Sequence, residues 1–458
     1  MKPARQLRAQ KTTVGEIDRE VLAFTVGRDL ELDLELVEAD AIGSAAHAAM
    51  LAGLPGKARI LSAADLRKVR AALSGIVARA RRGAFRITLA DQDVHMAVER
   101  ELTAALGDLG RRIHAGRSRN DQVAVDLRLH ARVQILHLLA ECLDVADALG
   151  ALAWRSRKVP MAGRTHMQPA MPSTVGLWAG SHAEALLDDA VLLINAYEFN
   201  NQSPLGSAAG FGVPLPIRPE LTAKWLGFDR AIPNALYASS ARGKVESVIL
   251  AAAAQAMVSL SRLAQDLMIY TMPEFGYFSL PAGFCTGSSI MPQKRNPDVL
   301  ELVRAKAATV AAAAAGVLEI LRGLPGGYNR DLQEIKGPFL DSLRTTRASV
   351  GVMARLVRGI EVHERALRAG FGADVFATDW ALELVAGGMP FRDAYHHVKA
   401  HLDECRGRDP RAAALRKTHL GAPGGLDFAG QRARIRAGRD FVRRERRDHA
   451  RVVGRLLG

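Results

Sequence analysis

Five long stretches of this chain, residues 123–156, 174–199, 244–271, 298–323 and 339–362, contain no proline and repeat their apolar residues at three- and four-residue steps. Each exceeds the ten to fourteen residues of an average helix. Helices of that length with wide apolar faces bury those faces only against one another, so a long-helix bundle is the expected solution. The Ala-rich runs "SVILAAAAQAMVSLS" and "AATVAAAAAGVL" are apolar nearly all round. They need neighbours on every side, which predicts bundles fused between subunits. No strand-rich region and no internal repeat is evident, and the fold class is all-α.

The 458 residues suffice for two or three domains with a sizeable core. Aromatic residues are only 5%, so Ala, Leu and Val must fill most of the interior. The two Ala-rich runs fall short of the roughly 18 apolar residues of a spanning helix and read as buried. The lead-in "MKPARQLRAQKTT" has no apolar region of the secretory kind and reads as a basic, disordered end. Cys142, Cys285 and Cys405 lie far apart, in no metal-ligand spacing and in odd number, which speaks against a disulfide framework and for the cytoplasm. The net charge of +14 is compatible with a nucleic-acid surface or with an anionic substrate on a generally basic protein. Much of the excess lies near the C-terminus, mixed with acids at helical spacing, as on the solvated face of terminal helices. No nucleic-acid motif accompanies it.

Gly- and Pro-rich connections punctuate the bundle and concentrate the polar residues with chemical potential. In "CTGSSIMPQKRNP", residues 285–297, Asn296-Pro297-Asp298 reads as a helix start with Asn as cap and Pro at the first helical position. Ser288 and Ser289 lie in a mobile loop before it, with Lys294 and Arg295 adjacent. That pattern suits an anion such as a carboxylate, or simply a polar loop capping a helix. "HAGRSRNDQ", residues 114–122, offers Arg117, Arg119 and Asn120 at another helix start, either as carboxylate donors or as surface arginines with a cap. "GRTHMQP" places Thr165 and His166 in a loop, His being the side chain that moves protons near pH 7, although a loop His is often structural. "GGYNRDLQEIK" crowds Tyr328, Asn329, Arg330, Gln333 and Lys336 together after a helix. "ADAIGSAAHAAM" puts Ser44 and His47 on a helix.

Taken together these segments are recognisable. "GSSIMPQKRNP" resembles the signature of the fumarase/aspartase superfamily, and "HAGRSRNDQVAVDLRL" resembles the argininosuccinate lyase version of its first conserved region. "GRTHMQP", "GLPGGYNRDLQE" and "IGSAAHAAM" are similar to further family segments, in family order, from about Gly15 to about His401. The resemblance implies three helical domains, 1–112, 113–361 and 362–458, the middle one giving five helices to a twenty-helix core of a homotetramer. It implies active sites built from three subunits, and reversible elimination of argininosuccinate to arginine and fumarate, the last step of arginine biosynthesis. It implies no metal and no organic cofactor; on the composition, no membrane partner is expected and a nucleic-acid partner is the less favoured reading of the basic tail. By resemblance Ser288 transfers the proton at carbon, His166 is the partner acid or base, Glu301 orients it, and Lys294 with Asn296 stabilises carboxylate charge. Asn120 and Thr165 match positions for the succinyl portion, with Arg119 close by. Ser44, Tyr328, Gln333 and Lys336 match positions for the amino-acid portion, and Asp93 an acidic site loop.

Two departures stand out. The family commonly carries "SDRD" where this chain has "SARG", Ser240 to Gly243, keeping Arg242 and losing two acids; the usual N-terminal "WGGRF" is replaced by the basic lead-in. The rival readings are a paralogue that cleaves or forms another N-substituted aspartate with fumarate, and a non-catalytic, crystallin-like structural protein on the same scaffold.

Overall fold

The structure, a computed structural model, describes residues 10–12 and 15–458. Most of the basic lead-in, with the disordered end expected there, lies outside the described residues. Among the described residues eleven helices reach ten residues or more. They are α1 (Val37–Ala52), α2 (Ala63–Arg81), α3 (Val94–Leu106), α4 (Arg119–Arg155), α5 (Val175–Asn200), α6 (Lys244–Tyr270), α7 (Asp298–Arg322), α8 (Lys336–Arg358), α9 (Ala377–Ala386), α10 (Phe391–Ala400) and α11 (Phe428–Leu457). The five long segments read from periodicity are α4 to α8. The fold is all-α.

These five form the bundle. α4 packs along α5 and α8, and α6 packs along α5 and α7. One continuous core runs through them and into α1, α2 and α3. By length and composition α6 could cross a membrane, yet 56% of its most apolar window is buried inside the protein, the position of a core helix. α7 differs. Its Val303, Ala307, Val310 and Val317 are buried, while Leu302, Leu318 and most of its alanines face outward. The basic C-terminal segment forms α11, which lies against α4. Its arginines pair with acids of the bundle: Arg434 with Glu184 and Asp188, Arg439 with Asp144 and Asp147.

Two local expectations are corrected. The segment around "GRTHMQP" is not a loop: Pro160–Thr165 (β1) pairs antiparallel with Gln168–Thr174 (β2), with a bulge between Gly163 and Arg164. A two-stranded ribbon has only edges, so the prolines of β2 break no central ladder. At the start of α7, Pro297 rather than Asn296 occupies the cap position, and no side chain caps the helix. Asn296 instead pairs through its backbone with Thr286, closing the 286–296 loop at its neck.

Candidate active site

A polar cleft opens where five chain segments meet beside the bundle. It is lined by Asp29, Gln92, Asp93, Arg119, Asn120, Val123, Arg242, Tyr328, Arg330, Gln333 and Lys336. Six of these, Asp93, Arg119, Asn120, Tyr328, Gln333 and Lys336, were expected from the sequence as substrate-binding residues.

The start of α4 supplies two of them. Ser118 caps this helix: its hydroxyl accepts from the Asn120 N–H, and the Asp121 carboxylate accepts from the Ser118 N–H. Asn120 therefore lies in the first turn of α4 rather than ahead of it. Asp121 also accepts from the N–H groups of Gly206 and Ala208, and burial pushes its carboxyl up to about 6. Asp93 caps α3, accepting from the Met96 N–H at 2.9 Å, and lies 3.3 Å from Nε of Arg119. Desolvation raises its carboxyl above the usual range, with the Met96 N–H and the Arg119 charge pulling the other way.

Lys336, at the first turn of α8, is only 2% exposed. Its ammonium sits 3.0 Å from Asp29 Oδ2 and 2.5 Å from Asp33 Oδ1. Asp33 also accepts from the Val94 N–H, so the lysine links the N-terminal region, α3 and α8. Burial raises the Asp29 carboxyl even against this cation. Gln333 donates its amide to the carbonyls of Thr25 and Val26, and the Arg242 guanidinium lies 5.8 Å from the Tyr328 ring centroid. Asp29, Asp33 and Gln92 were not singled out in the sequence. The acid-rich run "DLELDLE" was the available signal, but it reads equally well as a solvated helix face.

The remaining expected residues lie elsewhere. Ser44 does not line the cleft; it is fully buried in α1, donating to Asp40 and accepting from Arg117. Thr165 and His166 stand exposed at the tip of the β1–β2 hairpin, where His166 and Met167 form a two-residue turn with φ of 53° and 63°. The Ser288 hydroxyl is half-buried and accepts from the N–H groups of Ile290 and Met291. Lys294 in the same loop and Glu301 on α7 are exposed, and Asn296 donates weakly to the Gly287 carbonyl. Among the described residues no hydrogen bond or ion pair joins any two of Ser288, His166, Lys294 and Glu301 within one chain. Apart from Ser44, the candidate residues thus lie on three parts of the chain: the cleft, the hairpin tip, and the 286–296 loop with the start of α7.

The "SARG" departure falls where space and backbone are restrictive. Gly243 has φ 86°, and a Cβ there would lie 2.5 Å from Leu321 Cδ2 and 2.7 Å from Ile335 Cδ1. Ala241 is 1% exposed. An acid at either position would be excluded or buried.

Comparison with known proteins gives this all-helical scaffold, with its arginine-, lysine- and amide-lined cleft, an enzyme class and a family. Residues 16–312 match the family model described as lyase, and the chain belongs to that family. It falls among the argininosuccinate lyases within it: that of Parabacteroides distasonis is 41% identical over 411 residues, covering 90% of this chain and 91% of the relative. Among solved structures, a variant of EDDS lyase with bound fumarate superposes with a TM-score of 0.77 at 22% identity, covering 95% of this chain and 92% of that one. A class II fumarase from Schistosoma mansoni gives 0.69 at 16% identity, covering 90% and 100%. These structures share the fold.

Proposed function

We infer that the chain catalyses the reversible cleavage of argininosuccinate to arginine and fumarate, as a step of arginine biosynthesis in the cytoplasm. The observation that carries this reading is the convergence of Asp93, Arg119, Asn120, Tyr328, Gln333 and Lys336 in one cleft, in a chain whose curated relatives are argininosuccinate lyases. In this reaction the proton leaves a carbon beside a carboxylate, its electron pair forms the double bond of fumarate, and the C–N bond breaks as the departing nitrogen gains a proton. Charge accumulates on the carboxylate in between. Preorganised donors aimed at that charge supply most of the acceleration.

Ser288 and His166 are the proton-transfer pair, Lys294 and Asn296 stabilise the carboxylate, and Glu301 orients His166. Arg119, Asn120 and Thr165 hold the succinyl portion. Tyr328, Gln333 and Lys336 hold the arginine portion, Lys336 by fixing Asp29, and Ser44 serves at one remove by supporting Arg117. The assembly is a homotetramer in which three subunits complete each site, and the division into parts at 112 and 361 follows the same scheme. Two features support it: one chain leaves its three groups of candidate residues apart, and α7 leaves an apolar face uncovered. The reaction asks no metal or organic cofactor of these residues.

The test is fumarate release by the purified protein across a panel of N-substituted aspartates. Argininosuccinate is expected to be cleaved, and Ser288→Ala and His166→Asn are each expected to lose at least ~10²-fold in kcat, the usual scale for a positioned acid or base. Release from a different substituted aspartate alone would replace the substrate and keep the reaction class.

A further inference from the structure

Of the four non-glycine residues with positive φ among the described residues, two form the hairpin tip and Ala208 directs its N–H at Asp121. The fourth is Gln92, with φ 70°. A glutamine pays for this conformation and glycine does not, so such a backbone persists only where its surroundings fix it. Both neighbours of Gln92 are fixed. The Asp91 carboxylate accepts from the N–H and hydroxyl of Thr88, both at 2.8 Å, and from Nε of Arg100 at 2.8 Å. Asp93 caps α3 on the other side. Between these two acids with separate partners, Gln92 itself lines the cleft.

There Gln92 Oε1 lies 3.4 Å from a terminal nitrogen of Arg119, while Asp93 Oδ2 lies 3.3 Å from Nε of the same guanidinium. Two acceptors from consecutive residues thus hold one planar group. A guanidinium has five N–H donors in a fixed fork, so donors remain for a ligand beside Asn120. Gln92 is neutral, so only Asp93 offsets the Arg119 charge within this clamp.

We propose that Gln92 is a positioning residue, held in a glycine-type conformation so that its amide oxygen, with Asp93, orients the free side of Arg119 toward a substrate carboxylate. This rests on the reading that Arg119 takes a carboxylate of the substituted aspartate. Gln92→Met keeps the length and backbone cost but removes the acceptor; Gln92→Gly removes both. Both variants are expected to raise KM for argininosuccinate about tenfold, the scale of one charge-assisted hydrogen bond, with kcat within about threefold of the original. Gln92→Gly is expected to have a Tm no lower than the unmodified protein, because the strain is gone. Unchanged KM in Gln92→Met overturns the proposal, and so does a fall in kcat at constant KM. A lower Tm in Gln92→Gly overturns the strain account. If the unmodified protein releases fumarate from no substituted aspartate, the reading of the reaction fails by itself. The clamp is then judged by calorimetric binding of fumarate to the same variants, where equal affinity rejects it.

Discussion

Lys336 shows how one side chain can serve both fold and cleft. Its ammonium is almost out of water between Asp29 and Asp33, and removing one partner from such a cluster leaves the other charges buried without compensation. Lys336→Met is expected to cost about 3–5 kcal/mol, read as a lower urea midpoint, and to weaken substrate binding with it. A second residue-scale prediction concerns pH. His130 lies 3.8 Å from Glu35 with its side chain 9% exposed, and desolvation pushes its imidazole from 6.5 down to about 4. The folded protein keeps it neutral while the unfolded chain protonates, so its contribution is fully present above pH 6.5 and is lost as pH falls toward 4. Such a depression is worth on the order of 3 kcal/mol. His130→Gln is expected to flatten the decline in unfolding free energy between pH 6.5 and 4 by about that amount; an unchanged slope would reject the assignment. Residue identity made Arg119, Asn120, Tyr328 and Lys336 legible as anion-handling groups. It did not reveal Asp29 or Asp33, because an acid on a helix looks the same in sequence whether it faces water or a buried lysine.

At the scale of elements, the long helices were readable because periodicity integrates over many residues, and α4 to α8 lie where the apolar repeats are. Their ends were less readable. Asn296 looks like a cap but is committed to its backbone pair with Thr286, and α4 is capped by Ser118 rather than by the Asn or Asp that follows it. Ser118→Ala is expected to cost about 1 kcal/mol in thermal or urea unfolding. The β1–β2 hairpin was missed because its turn is His-Met rather than Asn-Gly and its strands carry prolines. Positive φ at His166 is costly, and the residue stands at the exposed tip of the hairpin. Gly243, at the start of α6, was visible only as a departure from family pattern. Its φ of 86° is one that L side chains rarely adopt, and a Cβ there would displace the ends of Leu321 and Ile335, so Gly243→Asp, although it restores a family acid, is expected to destabilise by about 1–2 kcal/mol and to lower the Tm.

For the whole molecule, the uncovered face of α7, with Leu302 and Leu318 each 56% exposed, is where the proposed tetramer is tested. Leu302→Glu together with Leu318→Glu is expected to shift sedimentation from tetramer to smaller species and to abolish fumarate release. If sites are shared, refolding a mixture of Ser288→Ala and His166→Asn chains is expected to recover part of the activity, because some sites then carry neither change; no recovery would place Ser288 and His166 in the same subunit. The sequence by itself determined the helical class, the five bundle helices and the residue types fit to handle carboxylates, since hydrophobic period and side-chain chemistry are local properties. Only the tertiary structure decided which of those residues share a cleft, that Ser44 is sealed inside α1, that Lys336 is held by two acids, and that Gln92 turns toward Arg119. Those outcomes depend on contacts between segments as much as three hundred residues apart, and no local pattern encodes them.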